Sequence, residues 1–296
     1  MEEPSDDGVG RLEPLVVVRV FRYVEQGAHP GCGAEVQDVG DAFQHDLAAG
    51  GLSAQVEADQ QAAEVQRAAA AAREVCRGTA NPGYPSCRQC HLTSNVLGTG
   101  VADAIVPVSL ALKGEQYANE LWRYKNAAGP QQLYFRTGLA AVLWRFLALH
   151  EACVAAHCAV PRFDVVTTAP STSGRENHPL RTMTAEMVDT TRGRYRDLLE
   201  PTSDAAALGR NPSRSRYTSV ALWGENVLVI DDTWTSGNHA QSASAALKAA
   251  GAGSVAVVVL GRHLNNSYGD TATLVEQARL RRFSWDTCAL RPWHHG

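Results

Sequence analysis

Two uninterrupted apolar runs constrain this chain most: VLVID at residues 227–231 and SVAVVVLG at residues 254–261, joined by a small-residue stretch at 238–250 with helical composition. A strand with one face in water alternates apolar and polar side chains. These runs do not alternate, so both faces of each must be covered. Two such strands with one helix between them form a βαβ unit, and Gly251 and Gly253 close the helix. The expected fold class is therefore α/β, a parallel sheet flanked by helices.

The same alternation recurs upstream. AIVPVSL at 104–110 reads as a strand, EQYANELWRYK at 115–125 as an amphipathic helix, and 133–157 as a longer, mostly buried helix. FDVVTTAP at 163–170 reads as a strand. Its loop, STSGRENHPL, leads to a helix near 180–189, and an Arg-rich connection at 193–224 precedes VLVID. Residues 101–296 are assigned to this domain. Residues 1–70 are rich in Ala, Gly, Gln, Asp and Glu around one apolar burst, LVVVRVF, and are expected to form an extension outside the folded unit. Between the two, CRGTANPGYPSCRQC at 76–90 is turn-rich and aperiodic, which predicts a small cysteine knuckle within residues 71–100.

With 296 residues, 45% of them apolar, the chain can bury a sizeable core. Its formal net charge of −4 argues against bulk electrostatic capture of nucleic acid, which needs an excess of Lys and Arg. MEEPSDDGVG lacks the basic and apolar regions of a secretory signal, so a cytoplasmic location is expected. The most membrane-like stretch, 138–160, contains Arg145, His150 and Glu151, costly at a bilayer centre, and reads as a buried helix; no membrane partner is expected. Cys76, Cys87 and Cys90 crowd together, which in a cytosolic chain suggests metal before disulfide, whereas Cys153, Cys158 and Cys288 read as packing residues. His150, His157, His178 and His263 stand at no telling spacing from a nucleophile or carboxylate, and none is assigned to catalysis.

The chemistry concentrates in VLVIDDTWTSGNHA at 227–240. Ligands of open parallel sheets sit beyond the carboxyl ends of strands, where the next helix presents unpaired N–H groups and the positive end of its dipole. Thr235, Ser236, Gly237 and Asn238 offer hydroxyls, backbone donors and a small residue there, a set suited to a phosphate monoester. Asp231 and Asp232 are acceptors only. They suit the vicinal hydroxyls of a ribose or a hydrated Mg²⁺.

Four apolar residues, two acids, two variable residues and a Thr/Ser–Gly turn resemble the signature of type I phosphoribosyltransferases. The resemblance implies that fold, with a flap, and a site for 5-phosphoribosyl diphosphate. It places the catalytic pair Asp231 and Asp232 on the ribose, and Thr235, Ser236, Gly237, Asn238 and His239 around the 5-phosphate. His239 departs from the Thr often found in the family. The resemblance also implies that Ser171, Thr172, Ser173, Gly174 and Arg175 cradle the diphosphate; the alternative is an ordinary strand-to-helix loop, in which Ser and Gly are common. The stretch 194–223 would be the flap, with Arg214 or Arg216 directed to the diphosphate; a solvated charged loop fits its composition equally well.

The cysteines are similar to the knuckle of the ComF-like branch, which implies Zn²⁺ on Cys76, Cys87 and Cys90, with His91 or Cys32 as the fourth ligand. Tyr124 and Lys125 resemble a Tyr-Lys pair of the same branch; Lys125 would then touch phosphate, although a surface helix end is the reading its position favours. The implied reaction is displacement of diphosphate from ribose C1 by an unidentified nitrogen or oxygen acceptor, assisted by Mg²⁺. The competing reading is a non-catalytic accessory of DNA uptake, the one case in which nucleic acid would be a partner, or a regulator that senses the donor. A homo-oligomer remains compatible with either.

Overall fold

The computed structural model describes residues 86–171, 178–265 and 271–279, with Trp285 and Leu290. In chain order these form α1 (Arg88–Leu97), a 3-10 turn (Gly98–Gly100), β1 (Ala104–Leu112), α2 (Gln116–Asn126), α3 (Gly129–His157) and β2 (Val165–Thr168). Then come α4 (Pro179–Thr182), a π-type turn (Met183–Met187), α5 (Asp189–Arg192), β3 (Leu199–Pro201), β4 (Tyr217–Ser219), β5 (Asn226–Trp234), α6 (Asn238–Ala249), β6 (Ser254–Leu264) and α7 (Thr271–Arg279). The extension expected at residues 1–70, Cys76, and Thr172, Ser173, Gly174 and Arg175 lie outside the described residues.

The expected parallel sheet is present, in the order β1-β6-β5-β2. The two apolar runs are its central strands, paired in register from Asn226 with Ser254 to Trp234 with Arg262. Val255 to Leu260 have no exposed surface, as strands covered on both faces require. Pro107 is accommodated because β1 is an edge strand, where a missing N–H costs no second ladder. Beyond β2 the backbone of Val166 bonds Arg194 and Arg196, adding a narrow rung at Tyr195.

Alternate residues of the central strands feed two cores. Leu228, Ile230, Ala256 and Val258 meet α2, α3 and the 179–192 segment. Val227, Val229, Val255 and Val257 meet α6, α1 and the β3–β4 hairpin. Helix α3 is long and apolar enough to cross a membrane, but Leu139, Leu143, Phe146 and Leu147 are buried in the first core. Its Glu151, one of the charges that interrupt the apolar run, is held by Arg194 through two bonds of 2.6 and 2.8 Å.

Three segments differ from expectation. Part of the predicted knuckle, from Arg88 onward, is helix α1: Cys90, Thr93 and Leu97 recur at helical spacing, face α6 and are buried, while the Cys87 sulfur caps the helix by accepting from Cys90 N. The helix expected at 180–189 is broken at Val188, whose N–H reaches the Met183 carbonyl at 3.1 Å; the Thr191 hydroxyl takes the Thr184 carbonyl at 2.6 Å, which relieves the helix of that bond. The Arg-rich connection contains a short antiparallel hairpin, β3 with β4, packed against α6.

Candidate functional site

Strand β5 continues three residues past Asp231, so both acids lie within it and point to opposite faces. Asp232 turns toward the end of α2. Lys125 Nζ lies 2.6 Å from its Oδ1, and the Tyr124 hydroxyl donates to Oδ2. Burial would raise the Asp232 pKa, but the Lys125 charge and the hydrogen bonds from Lys125 and Tyr124 hold it below the usual carboxylate range. The Tyr124 hydroxyl is pushed far up, first by burial and then by the Asp232 charge. Asp232 is thus a fixed anion. Tyr124 is fully buried, and Lys125, read from sequence as a surface helix end, is partly exposed but turned onto Asp232. The missed signal is the spacing of Tyr117, Leu121 and Tyr124, one apolar stripe that carries the helix end into the core.

Asp231 is in the opposite condition. It is half-buried, and its Oδ1 accepts the Asp232 N–H at 2.9 Å. Burial and the neighbouring Asp232 charge push its pKa well above the carboxylate range, against the pull of Lys125. A carboxyl whose folded-state pKa exceeds its unfolded value loses stability for the fold as pH rises and it ionises. Asp231→Asn is therefore expected to raise the stability of the ligand-free chain at pH 8 by about 2 kcal/mol and to change little at about pH 3, below the unfolded value. Thermal unfolding at the two pH values checks this; an equal effect at both would show that the charge is not the cause.

After Trp234 the chain turns through exposed Thr235 and half-buried Ser236 to Gly237, whose φ is 75°, and α6 begins at Asn238. The first-turn N–H groups of α6 have no partner within the helix until Gln241 N, which bonds Gly237 O at 2.9 Å. Gly237 lies on the ring of buried Trp234, where a Cβ would come within 2.0 Å of it. This packing fixes the path of the turn. The Asn238 side chain is already committed: its oxygen accepts from Gln89 at 2.9 Å and Thr93 at 3.0 Å, and its amide donates to the Arg210 carbonyl. What it can offer an anion is its backbone N–H.

His239 Nδ1 lies 3.2 Å from the Tyr217 hydroxyl, which also reaches the Pro170 carbonyl at 3.2 Å. Burial lowers the His239 pKa, helped by Arg216 and Arg210 and opposed by a backbone hydrogen bond at Gly209. The ring is neutral at pH 7. Tyr217, from the hairpin, thus joins the start of α6 to the end of β2, a link that short hairpin strands do not announce in sequence.

Strands β5 and β2 are neighbours, and the chain leaves their carboxyl ends in opposite directions: from β5 through α6 to β6, and from β2 through α4 and α5 to the rung at Tyr195. That reversal is where open α/β sheets bind ligands. At the β2 end a cleft of about 280 Å³ is lined by Thr168, Ser171, His178, Arg181 and Asp197. Ser171 therefore lies beside the switch point, and His178, unassigned from sequence, exerts a charge effect on Asp232.

The flap arginines have other employment. Arg214 donates to the Leu97 carbonyl at the end of α1, and fully buried Arg216 holds the carbonyls of Ala205, Gly209 and Asn211 at 2.6 to 3.1 Å. The expectation that either faces a diphosphate does not match these contacts. No group of three or more His, Cys, Asp or Glu suited to a metal occurs among the described residues. Comparison of the chain with protein-family models, curated proteins and solved structures finds no match.

Proposed function

We propose that this chain is a phosphoribosyltransferase-like protein of type I fold, which binds 5-phosphoribosyl diphosphate with Mg²⁺ and transfers its phosphoribosyl group to an acceptor, releasing diphosphate. The observation that carries the reading is the Asp231–Asp232 pair on β5 followed by the left-handed Gly237 turn and the start of α6, all at the switch point beside β2.

The roles divide by environment. The first-turn N–H groups of α6, with Thr235 and Ser236, receive the 5-phosphate. Asp231 accepts the ribose hydroxyls, and their donor protons relieve the charge that burial disfavours there. Asp232, neutralised by Lys125, keeps β5 in place under the sugar. Ser171 and the loop it opens receive the diphosphate. The C1–oxygen bond to diphosphate breaks, the electron pair leaves with the diphosphate, the acceptor's lone pair forms the new bond to C1, and the acceptor's surplus proton passes to the departing diphosphate or to water. Such a step depends on placement and on stabilisation of a cationic sugar. With Asp232 committed to Lys125 and Tyr124, Asp231 is the carboxylate left to the site, and its oxygen-only donors fit Mg²⁺ carried in by the donor's phosphates. When bound, Mg²⁺ neutralises the leaving diphosphate.

Titration calorimetry of the full chain with 5-phosphoribosyl diphosphate and Mg²⁺ tests the reading. Binding that weakens roughly tenfold or more in Asp231→Asn is expected, because a charged acceptor to the sugar is removed. A chain that binds no donor overturns it. Donor binding without consumption by any nitrogen or oxygen acceptor in a panel would favour the accessory or regulatory role.

A further inference from the structure

Two arginines are buried among the described residues, Arg216 and Arg262. Arg216 has three backbone carbonyls around its guanidinium. Arg262 has one: its Nη1 reaches the Thr235 carbonyl at 3.4 Å, its Nε has no partner, and no carboxylate pairs with it among the described residues, although only 8% of its surface is exposed. A buried cation without a counter-charge is costly. Its place is specific. Arg262 stands at the carboxyl end of β6, in register with Trp234, the residue on which the Gly237 turn rests, and its guanidinium meets the turn at Thr235. Thus an undercompensated guanidinium and the unpaired N–H groups of α6 converge on one turn.

We propose that Arg262 is the counter-ion of a phosphate monoester held at the Thr235–Asn238 turn, donating to its oxygens while the start of α6 supplies backbone N–H groups. Arginine suits this role because its planar donors match phosphate oxygens. The inference rests on the phosphoribosyl reading only in taking the monoester to be the 5-phosphate of a ribose.

The test titrates ribose 5-phosphate, ribose and inorganic phosphate into the full chain and into Arg262→Met and Arg262→Lys, with ligand-free melting of all three proteins. Arg262→Met is expected to weaken ribose 5-phosphate binding by roughly tenfold to a hundredfold. Arg262→Lys should recover part of that loss. Because no carboxylate pairs with the native cation among the described residues, the ligand-free melting temperature of Arg262→Met should hold or rise, which loss of a structural arginine would not allow. Arg262-dependent binding of inorganic phosphate, with ribose 5-phosphate no tighter, supports the site while sinking the ribose reading. Ribose 5-phosphate bound equally by wild type and Arg262→Met overturns the role of Arg262 and leaves the ribose reading standing. A wild-type chain that binds neither phosphate overturns both.

Discussion

Asp232→Ala is expected to lower the stability of the ligand-free chain by about 3 kcal/mol, because it strands the Lys125 ammonium and the buried Tyr124 hydroxyl without their shared acceptor. For a unit of this size that is a fall of roughly 6–12 °C in melting temperature. Adding Lys125→Met removes the stranded charge and should restore a large part of the loss, a coupling that a double-mutant cycle measures directly. The pH dependence has a definite sign. The folded-state pKa of Asp232 is depressed, so its stabilisation is complete above the unfolded value and is lost as pH falls through the folded one. A melting temperature unchanged by Asp232→Ala would mean that the ion pair does not support the end of α2. The contrast with Asp231 is informative: adjacent, chemically identical side chains are expected to change stability in opposite directions when neutralised at pH 8.

The second large effect is at Gly237. Gly237→Ala places a methyl within 2.0 Å of the Trp234 ring, and that ring, 1% exposed, has nowhere to move. The left-handed backbone adds about 1–2 kcal/mol for any residue with a Cβ, and overpacking adds a similar amount, so a loss of about 3 kcal/mol is expected. Donor binding should fall with it, since the same turn positions the first N–H groups of α6. A double-mutant cycle with Trp234→Leu separates the contributions: Gly237→Ala should cost less in the Trp234→Leu background, where the clash is relieved, whereas the backbone penalty stays. An equal cost of Gly237→Ala in both backgrounds would assign the whole loss to backbone conformation.

What could be read from the chain without coordinates follows from which forces are local. The central strands were legible because continuous burial leaves an unbroken apolar run, and 227–231 and 254–261 had no other use. The acid pair and its turn were legible because strand end, acids, glycine and helix start are consecutive. Contacts made by register were not. Lys125 and Asp232 meet only because α2 packs across the sheet, and Arg262 reaches Thr235 only because β6 lies beside β5. Helix α1 was hidden by the glycines and prolines before it. The flap arginines misled for a related reason: composition cannot distinguish a guanidinium facing a ligand from one that holds its own loop's carbonyls, and Arg214 and Arg216 do the latter.

The Tyr217 hydroxyl has one proton, and a neutral His239 ring has one N–H. If the ring's proton is directed to the backbone at Gly209, Tyr217 must donate to Nδ1 and cannot also donate to Pro170; if it is on Nδ1, the Gly209 side goes without. One link is therefore short of a proton while the ring is uncharged. An arriving phosphate dianion favours the imidazolium, and the second ring proton then completes an uninterrupted relay from Gly209 through His239 and Tyr217 to Pro170. If the proposed phosphate binds at the turn, the completed relay would tie the start of α6 to Pro170 at the end of β2.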